Sequence, residues 1–179
     1  MPKSLEFQIF AYPDPVLRKP AEPVESFDEE LSETIAAMYA RMRESQGVGL
    51  AAPQVGLKLR ILVLNHTGEE GGDLALVNPE IQKAWGPKTA MEEGCLSFPS
   101  IYGEVSRPEC VRVKAQHPDG EEFVEEYEGF QARVIQHEMD HLEGVLLVDR
   151  MTPADKLRNK VALEELVEDY KTALTKAGR

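Results

Sequence analysis

The segment His137-Glu138-Met139-Asp140-His141 combines the residue types and the spacing of metal-assisted hydrolysis. It falls within Phe130 to Glu143, a stretch that reads as helix. Residues four apart on a helix share a face, with Cβ atoms roughly 5–6 Å apart, so both imidazoles can grip one ion. Glu138 then falls where it can reach a water on that metal. Two ring nitrogens, an open coordination position and a neighbouring carboxylate suit hydrolysis. An amphipathic helix with capping or solvated histidines would show the same letters. The chain has only four histidines, however, and two of them stand here.

A third protein ligand would define the class of hydrolase. The extended pattern HExxHxxGxxH is excluded, because Gly144 is present but Leu147 stands where its last histidine would be. A downstream glutamate, Glu164 or Glu165, would make a HExxH zinc endopeptidase. Both sit in a strongly charged helical stretch, Pro153 to Lys176, where solvated carboxylates are expected. Cys95 is the upstream candidate, in Glu93-Gly94-Cys95-Leu96-Ser97, a segment bounded by Pro87 and Pro99. The other cysteine, Cys110, opens an alternating run to Ala115 and reads as a small strand residue. A buried, inert thiol is the plain alternative for Cys95. A non-enzymatic, metal-stabilised module is a third class, but it would need a fourth protein ligand. No second cysteine lies close to the motif.

Upstream, Gly47-Val48-Gly49-Leu50-Ala51-Ala52-Pro53-Gln54 has glycines two apart, which let backbone approach a ligand closely, and Pro53 marks a turn. GVGLAAPQ, EGCLS and QHEMDHLEG, in that order, resemble the three motifs of the peptide deformylase family. The opening Tyr12-Pro13-Asp14-Pro15-Val16-Leu17-Arg18 is similar to that family's N-terminal segment. The resemblance runs from about Phe10 to Asp149.

That resemblance implies an enzyme that removes the N-formyl group from the formyl-methionine of newly made polypeptides and releases formate. It assigns Cys95, His137 and His141 to one divalent metal ion, with water in the fourth position. A thiolate brings one negative charge and neutral imidazoles bring none, leaving about +1, still enough to acidify water toward pKa ~7. Thiolate and imidazole suit Fe(II), Zn(II), Co(II) or Ni(II), and the resemblance favours Fe(II). Glu138 becomes general base toward the water and later general acid toward the departing amine. The side-chain amide of Gln54 and the backbone N–H of Leu96 are assigned to the oxyanion, although a solvated loop amide is the ordinary fate of such a glutamine. Backbone at Val48, Gly49 and Gly94 would hold the peptide as an added strand. The methionine pocket would include Gly47, Val48, Val134 and His137, with Arg133 at its rim. Tyr102 falls where many relatives carry a basic residue, which would alter preference beyond methionine. Arg107 is read either as a partner of Glu93 or as an ordinary surface charge.

These residues need elements to position them. A helix is expected from about Asp28 to Glu44, with Ser26 and Glu29 as a capping box. Strands are expected at Arg60–Leu64 and Ala75–Ile81, joined through a Gly68–Gly72 turn. Two more, Val111–Ala115 and Phe123–Tyr127, flank the turn signal His117-Pro118-Asp119-Gly120. The expected class is α+β, with short antiparallel or mixed sheets packed around a central HExxH helix, and a C-terminal helix at about 153–176. One domain spanning 1–179 is expected. His66 and His117 fall in turns and are assigned no chemistry.

Charge and composition narrow the setting. A net charge of −12 and a pI near 4.8 oppose non-specific nucleic-acid binding. From Pro153 onward the balance is nearly neutral, with Lys156, Arg158, Lys160, Lys171, Lys176 and Arg179 against Asp155, Glu164, Glu165, Glu168 and Asp169. The resemblance implies action on nascent chains and transient association with the ribosome, which this helix supports only weakly. Met1 to Phe7 shows neither a secretory nor a transit pattern, and no stretch approaches membrane-spanning length. Two cysteines, one wanted as thiolate, indicate a reducing compartment and a cytoplasmic protein.

Overall fold

Ile61-Leu62-Val63-Leu64 is apolar at every position, and a strand of that kind needs cover on both faces. It receives that cover in the computed structural model, which describes residues 5–178. Met1–Ser4, part of the segment read for a leader, and Arg179 lie outside the described residues. This strand is β2, the second of five: β1 (Gly49–Ala51), β2 (Ile61–Leu64), β3 (Leu74–Cys95), β4 (Phe98–Gln116) and β5 (Glu122–Glu128). They form one sheet in chain order, every neighbouring pair antiparallel. Leu62 and Leu64 pack with Ala132, Val134, Ile135, Met139 and Leu142 of the motif helix, α2 (Gly129–Leu142). Ile61 and Val63 face the other way, into Leu31, Ile35, Met38 and Met42 of α1 (Glu29–Glu44).

The α+β class is as expected, and the motif helix lies against the sheet. Two strands are much longer than their sequence suggested: β3 has 22 residues and β4 has 19. Much of β3 is exposed from Gln82 to Glu92, so no alternating apolar pattern marks it. Gly86 and Pro87 sit at a register shift between Trp85 and Lys88, where a bulge tolerates a residue that cannot donate to the ladder.

The cap of α1 also differs. Asp28 accepts the Leu31 backbone N–H at 3.0 Å, in place of the expected pairing of Ser26 with Glu29. A carboxylate there satisfies an open N–H and complements the helix dipole.

The C-terminal helix is two pieces, α4 (Pro153–Arg158) and α5 (Lys160–Lys176), after a short α3 (Leu147–Arg150). They are divided at Asn159, whose side chain donates to the Tyr102 and Asp155 carbonyls at 2.7 and 2.9 Å. Asp155 is buried and accepts the Glu104 backbone N–H at 2.7 Å. The root of this segment thus grips β4. Leu147, the position that excluded a third histidine, is core with Phe98, Ile101 and Met151. No helix among the described residues is long and apolar enough to cross a membrane.

Candidate metal centre

Nine of the fourteen residues of α2 are buried, including Arg133, Gln136, Glu138 and His141, so its polar groups must find partners inside the protein. His137 and His141 are one turn apart, with ring centroids 5.2 Å from each other. The closed end of the β3–β4 hairpin brings Cys95 to them. Gly94 is opposed to Tyr102 but Cys95 to Phe98, a register shift of the kind that re-aims a side chain. The Cys95 Sγ lies 3.3 Å from His141 Nε2, and one ligand atom from each of Cys95, His137 and His141 falls within 4.8 Å of the other two. Among the described residues this is the group able to hold a metal ion, and it has three members.

A second layer fixes the first. His137 Nδ1 meets Glu93 Oε2 at 3.0 Å, which leaves Nε2 for an ion. Glu93 is itself gripped by Arg107 at 2.7 and 3.0 Å and by Arg133 at 2.8 Å, all three side chains being buried. Arg107 reaches Asp140 at 3.0 Å, and Arg150 holds Asp140 from outside at 2.7 Å. Burial alone would raise the Glu93 carboxyl, but hydrogen bonds from His137 and Arg107 outweigh it and bring the pKa down to about 2. Burial, with repulsion from His137 and Arg107, holds His141 well below the usual imidazole range. His137 is pushed the other way. Against burial, its hydrogen bonds to Cys95 and Glu93 raise it well above that range, so a metal ion there would take the place of the proton on its Nε2.

Glu138 is different in kind. Burial pushes its carboxyl up to about 7, with His137 pulling the other way. Its Oε2 and the Nδ1 of His141 are buried without a protein hydrogen-bond partner. A sulfur, two ring nitrogens and an unpaired carboxylate beside them fit a divalent ion of the iron or zinc type. Gln54 is buried on the 3-10 turn Ala52–Val55. Its Oε1 accepts the Ala51 N–H at 3.0 Å, which turns the NH2 group toward Ser97 Oγ at 3.1 Å and Cys95 Sγ at 3.6 Å.

Gly47, Val48, Gly49, Gln54, Glu93, Gly94, Cys95, Leu96, Arg133, Val134, His137 and Glu138 all line one cavity of about 650 Å³. The two early glycines make room within the protein. A Cβ at Gly47 would come 2.7 Å from Leu96, and one at Gly49 would come 2.6 Å from Glu138 Oε1 and 2.9 Å from Val134. Glu138 is seated against bare backbone.

The chain matches the family described as polypeptide deformylase over residues 7–157. The chain belongs to the peptide deformylase family. It is similar to the peptide deformylase of Thermotoga maritima, at 46% identity over 92% of this chain and 99% of that one. It is also similar to peptide deformylase 1 of Bacillus subtilis, at 46% identity over 81% and 89%. A solved plant peptide deformylase superposes with a TM-score of 0.92 at 41% identity, over 100% of this chain and 97% of that one. The Plasmodium falciparum peptide deformylase gives 0.89 at 40%, over 92% and 98%.

The structure brings the three motif segments together around one cavity and adds two residues to them. Arg133 lines the cavity, but its guanidinium is bound by Glu93, the Val105 carbonyl at 2.9 Å and the Thr89 carbonyl at 2.6 Å. Its charge is thus held in place while it lines the cavity with Val134 and His137. Arg107 does pair with Glu93, as a buried bridge rather than a surface charge. Ser97 and Asp140 received no role in the sequence, although both stand inside quoted motifs. Glu164 pairs with Lys160 at 3.8 Å on exposed α5 and lines a separate cavity with Tyr12. The endopeptidase alternative is not favoured.

Proposed function

We infer that this enzyme hydrolyses the formyl amide of formyl-methionyl nascent peptides through Cys95, His137, His141 and Glu138. The observation that carries the reading is the approach of the hairpin Cys95 to both motif histidines, with an unpaired buried Glu138 beside them. A divalent ion held by those three residues would supply Lewis acidity and lower the pKa of a bound water. Fe(II) is proposed on the strength of the family resemblance; metal analysis of anaerobically purified protein tests it, and zinc alone in active protein would refute it.

Glu138 takes a proton from water as the water oxygen bonds to the formyl carbon. It then delivers that proton to the amine nitrogen as the C–N bond breaks, giving formate and a free N-terminus. The Gln54 NH2 group and the Leu96 N–H donate to the oxyanion that develops on the formyl oxygen. Ser97 holds the Gln54 amide in its donating orientation, so donors are aimed before the reaction starts. Backbone at Val48, Gly49 and Gly94 aligns the peptide as an added strand, and Gly47, Val48, Val134 and His137 receive the methionine side chain. A thiolate ligand suits a reducing compartment, in keeping with a cytoplasmic enzyme that meets formylated chains near the ribosome. The unbroken sheet from β1 to β5 supports reading the chain as one domain.

The test is substrate discrimination. Formyl carries hydrogen where acetyl carries a methyl, and a packed wall next to the reacting carbon rejects a methyl by about 10- to 200-fold. Formyl-Met peptides should therefore be cleaved, acetyl-Met peptides slower by about that factor, and internal bonds hardly at all. Equal rates on acetylated substrate, or cuts within an unblocked peptide, would move the assignment to endopeptidase.

A further inference from the structure

The opening segment Phe10 to Arg18 stands apart from the three motifs in sequence and takes no part in the chemistry above. In space it meets the last residue of each of them. The Phe10 N–H donates to the Gln54 carbonyl at 2.8 Å, and the Tyr12 N–H donates to the Ser97 carbonyl at 2.9 Å. The Arg18 backbone lies so close to Gly144 that a Cβ there would come 2.5 Å from the Arg18 carbonyl oxygen. Gln54, Ser97 and Gly144 end GVGLAAPQ, EGCLS and QHEMDHLEG respectively.

This strap is anchored at its far end. Leu17 is buried in the cluster that holds Phe98, Ile101 and Leu147, and Asp14 caps the 3-10 turn Pro15–Arg18 by accepting the Val16 N–H at 2.9 Å. The Tyr12 ring stacks on Phe98 with centroids 5.0 Å apart, and Phe98 lines the metal-centre cavity. The Phe10 ring covers Gly56, the residue that closes the turn carrying Gln54. The links form a closed ring. It runs from the Phe10 N–H to the Gln54 backbone, along that side chain to Ser97 Oγ, from the Ser97 carbonyl to Tyr12, and back through Ala11. While every link holds, the Gln54 amide and the Leu96–Ser97 turn keep one separation.

We propose that Phe10 and Tyr12 are positioning residues for the oxyanion donors, holding the Gln54 amide at a set distance from the Leu96 N–H before substrate enters. This rests on the deformylase reading above. The two donors come from different segments of the chain, and an oxyanion is stabilised only by donors aimed in advance. Neither Phe10 nor Tyr12 lines the cavity that would receive the peptide. Loosening the strap therefore lowers kcat and leaves KM nearly unchanged, since a misplacement of about 1 Å costs on the order of 10²-fold in rate.

The experiment measures kcat and KM on formyl-Met-Ala-Ser with metal-loaded full-length enzyme, in the parent and in a Gln54→Ala background. Tyr12→Ala should lower kcat of the parent by about 10- to 100-fold, with KM within about twofold and metal content unchanged. Tyr12→Phe keeps the stacked ring and should restore kcat. Phe10→Pro deletes the N–H that binds Gln54 and should act like Tyr12→Ala. In the Gln54→Ala background Tyr12→Ala should slow turnover by no more than about threefold, because the donor it positions is already gone. A lower melting temperature with kcat per metal-loaded enzyme unchanged, or losses that multiply in the double variant, would overturn the positioning role. No turnover of any formyl-Met peptide by the metal-loaded parent would overturn the activity itself, and the positioning role with it.

Discussion

Glu138→Gln is expected to keep its metal and to lose turnover by about 10²- to 10⁴-fold, the usual contribution of a positioned acid–base group. The amide cannot take a proton from water or return one to the amine. It leaves Cys95, His137 and His141 unchanged, so metal content should match the parent. The same substitution removes a buried carboxylate that has an oxygen without a protein partner. Burying such a charge is costly, and the metal-free variant should therefore melt above the metal-free parent. Near-parental turnover in metal-loaded Glu138→Gln would remove this residue from the proton transfers, and a lowered melting temperature would mean that Oε2 has an unrecognised partner.

Glu93→Ala should be among the most damaging changes outside the ligands. It would leave the buried guanidinium of Arg107, held otherwise by Asp140, and that of Arg133 without their common carboxylate. Breaking a buried pair by removing one member costs about 3–5 kcal/mol. His137 would also lose the bond that sets its ring, a change worth about 10- to 100-fold in metal affinity. Urea unfolding and metal titration read the two effects separately. A loss under about 1 kcal/mol, with unchanged metal affinity, would show that the network is dispensable. The sign with pH follows from the direction of the shift. The Glu93 pKa is lowered to about 2 from an ordinary 4.5, so its stabilisation is complete above the ordinary value and is lost as pH falls toward 2.

The parts of this site that could be read in the sequence were local or carried by motif order. His137 and His141 are one helical turn apart, and helix periodicity alone brings them together. Cys95 could be ranked above Glu164 because Glu164 stands in a strongly charged helical stretch, while Cys95 has no strand periodicity like that of Cys110 to explain it. The order of the three motifs added to that. Ser97 and Asp140 were silent because their partners, Gln54 and Arg107, are 43 and 33 positions away. The long hairpin was hidden by its exposure: between Gln82 and Glu92 the strand buries too little to show a period of two. The break at Asn159 was hidden for a different reason. A single residue whose side chain binds a distant strand leaves the surrounding helical pattern intact.

Gly49 ties the fold to heredity. Every missense change of a glycine codon adds a Cβ, and any Cβ here would stand 2.6 Å from the oxygen of Glu138. The smallest heritable step away from glycine is thus already a collision with the residue proposed to move the proton. Descent through this position carries a toll: a lineage that admits any side chain here must also move the Glu138 carboxylate and the Val134 methyl.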